Sequence, residues 1–136
     1  MANETKLMVE TELPVMFKCA DGTGIAKGAI LKLTESMTAI ITSGQGDMVA
    51  GIAAAEKIAN DGKTTIPVYM GGIFKGTAGA AVNIGIGLMT DATTNKLETT
   101  TGKTGAAQLG YCLEAPTGDN ETFLFVLRPG ASGAIA

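Results

Sequence analysis

The chain has 136 residues, enough for one domain with a real core; a folded domain of that size buries roughly 65–70% of the surface its extended chain exposes. Its 46% hydrophobic content includes no Trp, two Tyr and four Phe, so the core has to be assembled from small aliphatic pieces, and nineteen Gly argue for short strands joined by tight turns. The formal net charge is −3, the lysines are scattered along the sequence and Arg128 is the single arginine, which excludes a clustered phosphate-tracking stretch and leaves no nucleic-acid partner to expect.

Residues 1–13 read as an extended N-terminal arm, because Lys6-Leu7-Met8-Val9-Glu10-Thr11-Glu12-Leu13 is short, mixed in character and followed by the breaker Pro14. The same stretch has no apolar leader segment. The expectation is synthesis in a reducing host cytoplasm, with Cys19 and Cys112 serving as small buried hydrophobes and Asn3-Glu4-Thr5 and Asn120-Glu121-Thr122 as chance matches to a glycosylation pattern.

Strands are predicted over 15–19, 29–33 and 37–42, separated by the turn Asp21-Gly22-Thr23-Gly24 and ended by Ser43-Gly44-Gln45-Gly46. Residues 48–59 carry the helix-favouring Ala53-Ala54-Ala55-Glu56-Lys57, but Gly51 and the hairpin signal Asn60-Asp61-Gly62 turn the reading to strand. Residues 64–70 read as a strand that Pro67 confines to an edge or a bulge. The irregular Gly/Ala/Val mixture at 77–87 leaves room for one short helix over 78–83. Further strands follow at 88–90, 96–99, 109–114 and 122–127.

Three parts result: the arm 1–13, a β-rich domain 14–128 and a flexible C-terminal tail 129–136. The fold class is mainly β, a single compact β-barrel or β-clip-like domain of many short strands with at most one short helix. No run approaches the ~18 consecutive apolar residues of a membrane span, so no membrane partner is expected.

The usual catalytic chemistry is missing. The chain has no His, which removes Ser-His-Asp and Cys-His arrangements and most zinc sites. Gly102-Lys103-Thr104 ends like a phosphate-binding loop, yet Leu97 stands where its first Gly is required. Glu10 with Glu12, and Asp119 with Glu121, read as solvated carboxylates. No catalytic residue, cofactor or metal is predicted, and the chain is expected not to be an enzyme.

An ordered series of strand-and-turn signatures remains. It runs Met48-Val49-Ala50-Gly51-Ile52-Ala53, Asp61-Gly62-Lys63, Ile66-Pro67-Val68-Tyr69 and Gly72-Ile73-Phe74-Lys75, then Gly85-Ile86-Gly87-Leu88-Met89-Thr90-Asp91, Gln108-Leu109-Gly110-Tyr111-Cys112-Leu113-Glu114-Ala115 and Phe125-Val126-Leu127. Over residues 48–128 the chain resembles the capsid-decoration, or cement, proteins of tailed bacteriophages. That resemblance implies a β-rich structural virion protein on the outer capsid surface, a homotrimer at three-fold junctions of the major capsid protein that strengthens the expanded shell. An extended arm can add a strand to a neighbour's open sheet edge, which makes Lys6, Leu7, Met8, Val9 and Leu13 the candidate capsid-contact residues. Two other readings stand beside this one: a minor shell or fibre-base virion protein, and a small β-barrel enzyme or ligand-binding module, which clustered Asp, Arg and Tyr would mark.

Overall fold

Alternation of buried and exposed residues sets the strands. In the computed structural model, which describes residues 1–102 and 107–130, the segment Thr122–Leu127 buries Phe123, Phe125 and Leu127 and turns Thr122, Leu124 and Val126 outward. The described residues form eleven strands: β1 (Lys6–Val9), β2 (Val15–Lys18), β3 (Ile30–Glu35), β4 (Thr38–Ile41), β5 (Val49–Ala53), β6 (Thr65–Tyr69), β7 (Gly72–Ala78), β8 (Gly87–Thr90), β9 (Lys96–Thr99), β10 (Gly110–Cys112) and β11 (Thr122–Leu127). They contain no helix. The short helix for which 78–83 left room is replaced by the end of β7 and an irregular turn, pinned where Gly79 N–H donates to the Leu97 carbonyl and Val82 N–H to that of Pro116.

Strands β2-β4-β3-β5-β6 close a small barrel, antiparallel throughout except for the parallel contact of β2 with β4. Its interior is filled by Phe17, Leu31, Ile66 and Val68 with four alanines, Ala29, Ala39, Ala50 and Ala53, because a five-stranded ring leaves little room inside. The second sheet runs β1-β7-β11-β10-β8-β9, and β7 also pairs with β9, so the five strands from β7 to β9 form a closed ring. Its core stacks Phe74 on Phe125 at 6.2 Å between centroids and tilts Phe123 against Phe125 at 5.9 Å. Strands β3 and β5 serve both cores: Leu31 and Ala50 point into the small barrel, while Ile30, Val49 and Ile52 point into the other.

Such close walls demand Gly51, whose φ is +158° and where an added Cβ would overlap the Tyr69 carbonyl oxygen. Pro67 does not mark an edge. β6 lies between β2 and β5, opposite Met16. The Pro67 carbonyl accepts from Ala54 N–H, just past the last β5–β6 pair, Ala53 with Val68. Since the N and O of one strand residue point the same way, the missing donor faces the end of the β5 ladder, where no partner is lost. Nor is Asn60-Asp61-Gly62 a tight hairpin. β5 ends at Ala53 and β6 begins at Thr65, and the intervening loop folds around Lys57 instead.

Within segment 1–13, Ala2 and Asn3 form a turn and β1 lies antiparallel along β7 with Lys6 opposite Lys75, Leu7 opposite Phe74 and Val9 opposite Ile73. β1 and β9 share one side of β7 end to end, since β9 meets it only at Thr77 and Ala78. Residues 131–136 of the tail, and Lys103 and Thr104 of the Gly102-Lys103-Thr104 motif, lie outside the described residues.

Candidate functional site

The residues just before the first strand are anchored at one buried amide. Asn95 turns a corner at φ +65°, a conformation Asn tolerates, and is 2% exposed. Its Oδ1 accepts from Ile30 N–H at 2.7 Å, and its Nδ2 donates to the carbonyls of Asn3 at 2.7 Å and Gly28 at 3.0 Å. Thr5 N–H donates to the same Gly28 carbonyl at 3.1 Å. Gly28, at φ +86°, lets this happen, for a Cβ there would strike the Glu4 side chain and sit 2.9 Å from the Thr5 carbonyl. Beneath the segment lies a cleft of about 330 Å³ lined by Thr5, Leu7, Lys27, Ile52, Tyr69 and Phe74. Tyr69 OH donates to Glu10 Oε2 at 3.1 Å, and burial together with that carboxylate pushes the phenol above its ordinary 10.0.

Of the residues singled out in the sequence, the structure gathers four on β1 and leaves the fifth apart. Lys6, Leu7, Met8 and Val9 are all exposed, Met8 at 53% and Val9 at 49%. Leu7 sits opposite buried Phe74 and reaches into the cleft. Leu13 lies between β1 and β2 and is 77% exposed. Among the described residues no strand pairs with the outer edge of β1.

Among the described residues Lys57 is the most enclosed charge, its side chain 1% exposed. Its ammonium donates to the Asp21 carbonyl at 3.0 Å, Asp21 Oδ1 at 3.0 Å, the Ile58 carbonyl at 2.8 Å and Asp61 Oδ1 at 2.7 Å. Burial by itself lowers a lysine pKa; here the bonds from Asp61 and Asp21 outweigh it and hold Lys57 above its ordinary 10.5, while Asp61 is held below 3.8 chiefly by Lys57. With every acceptor fixed and both loops clamped, this ion cluster is a structural device. Cys19 and Cys112 are both buried and free, and burial pushes both thiols up. Among the described residues no group of three or more His, Cys, Asp and Glu could hold a metal ion. Sequence reading missed Asn95 and Lys57, since an Asn before a strand and a Lys after Ala-Ala-Ala-Glu both look like ordinary surface residues. The Asn95-Lys96 step into β9 is the one local signal, as a turn residue that accepts positive φ.

Two closed β-ladders and an added edge strand, with Asn95 and Lys57 engaged in holding loops, make up an all-β domain among the described residues. The phage cement protein family matches residues 25–127, and the chain belongs to that family. It is a structural virion protein that binds the capsid. Its fold is similar to the crystal structure of the head fiber gp8.5 N base of bacteriophage phi29, with a TM-score of 0.55 and 12% identity over 91% of this chain and 98% of that one. No curated protein matches the chain.

Proposed function

We propose that the protein cements the exterior of the expanded phage head as a homotrimer at three-fold junctions of the major capsid protein, that it does so without catalysis, and that it is made in the host cytoplasm. The observation that carries this reading is β1. It stands outside both closed ladders with its outer edge unpaired among the described residues, so it is a place where a neighbouring chain gains backbone hydrogen bonds without breaking any within the domain. Lys6, Leu7, Met8, Val9 and Leu13 are the contacts on and beside that edge. Three copies joined in a closed ring engage three shell subunits at once, which turns modest single contacts into durable attachment.

The likeness to a head fibre base favours one second reading, a component present in a few copies per head. Titrating purified protein onto expanded heads that lack it, and counting bound copies by quantitative mass analysis, separates the two. Cementing predicts saturation at a copy number that scales with the three-fold junctions of the lattice and heads that resist heat better when saturated. Saturation at a handful of copies, with no gain in heat resistance, would contradict it.

A further inference from the structure

Residues directly opposite on paired strands place their side chains on the same face of the sheet. The registers put Ile73 opposite Val126 and Val126 opposite Tyr111, and a break in the β1 register after Leu7 brings exposed Val9 opposite Ile73, so the four stand in line across β1, β7, β11 and β10. The face is the outer one: Phe74, Phe125 and Leu127 between them are buried, while Val9 is exposed and Ile73, Val126 and Tyr111 are half-buried. One step along, Lys6, Lys75 and Leu124 repeat the alignment, with both lysines exposed. At the other end exposed Arg128 follows Val126 by one alternation. Ile73, Tyr111, Val126 and Arg128 line a single hollow of about 270 Å³ with Glu12.

We infer that this four-strand face, Val9-Ile73-Val126-Tyr111 with Lys6, Lys75 and Arg128 at its ends, is the main docking surface for the shell, and that it fits an apolar patch flanked by carboxylates. The inference rests on the capsid-binding reading above and names a wider surface than the β1 edge. A solvated sheet face is ordinarily polar, yet here a whole cross-strand row is apolar. Lys6, Lys75 and Arg128 stand against Glu12 and against Glu114, whose carboxylate accepts from Leu124 N–H at 3.0 Å, so the face keeps an excess of one cation in a chain whose net charge is −3. Lys6 directly opposite Lys75 is an unfavourable pair in the free protein, and acidic groups on a partner would relieve it. A second copy docking face to face would set these cations against themselves, so the charge pattern selects a different protein as occupant.

The test measures binding of full-length variants to expanded heads lacking the protein. Ile73→Thr with Val126→Thr keeps β-branched residues on both strands and removes the apolar row; the expected result is a loss of affinity of about tenfold or more, with the oligomer mass and melting curve of the parent. Lys6→Glu with Lys75→Glu is expected to slow attachment, most at low salt. Ile58→Thr, at an exposed position of the loop between β5 and β6, is expected to bind as the parent does. Parent-like binding by either double variant would overturn the inference, as would a changed oligomer mass in solution, which would make the row a self-contact. Should the threonine variant fail to fold, the exposed charge reversal alone decides. Failure of the parent itself to bind would sink the capsid-binding reading, an outcome distinct from a parent that binds and variants that bind equally.

Discussion

Asn95 and Lys57 illustrate how much of this small domain rests on single polar side chains. Replacing Asn95 with Ala orphans the Ile30 N–H and removes a donor from the Asn3 and Gly28 carbonyls, and it places Ala at φ +65°. The expected cost is about 2–4 kcal/mol, read as a lower midpoint in urea unfolding. Lys57→Met is expected to lower the melting temperature and to loosen residues 20–24 and 57–63 in hydrogen exchange, because it leaves Asp21 and Asp61 facing each other without a cation. Asp61 sets the sign of the acid response. Its folded pKa lies below the ordinary 3.8, so its contribution is present above that value and is lost as pH falls below about 4 through the folded pKa. Lys57 behaves oppositely, contributing below 10.5 and losing its contribution as pH rises through its higher folded value. Asp61→Asn is expected to reduce neutral-pH stability and flatten the acid limb of stability against pH; an acid limb as steep as the parent's would show that other carboxylates control it. None of these roles was legible in the sequence, because local composition says nothing about which distant carbonyl an amide or ammonium will meet.

At the scale of elements, strands with clean alternation and turn residues on both sides were legible. Residues 122–127 and 96–99 match β11 and β9 in full, and 15–19 and 37–42 each run one residue or so past β2 and β4. β7 was missed because Gly72, Gly76 and Ala78 dilute its pattern, although glycine at 76 is needed where Phe125 and Leu97 press on the strand. Pro67 misled for a different reason: a missing donor matters only on the side where a ladder continues. The arm was read as extended, but its attachment was hidden, since Asn3 and Thr5 meet partners 92 and 23 residues away. Deleting residues 1–13 removes β1 and these bonds while both closed ladders keep their strands. The expected variant folds, melts lower by an amount corresponding to about 2–4 kcal/mol, and attaches weakly to heads. Circular dichroism of an unfolded chain, or undiminished attachment, would count against this account of β1.

For the molecule as a whole, the sequence resemblance and the alternating strands pointed together to a β-barrel protein of the phage head, and the family match and closed ladders agree with them. The apolar row across β1, β7, β11 and β10 stayed hidden, because alternation within a strand shows which residues face outward but not which strands become neighbours. The central claim is attachment as a trimer at three-fold junctions, and it is tested most directly by a cryo-electron microscopy reconstruction of virions with the protein's own density resolved. The account predicts three copies around each occupied three-fold junction on the outside of the shell, with β1 and the adjoining sheet face against capsid subunits. Density confined to five-fold or fibre-bearing positions, or a sheet face pointing away from the shell, would contradict it.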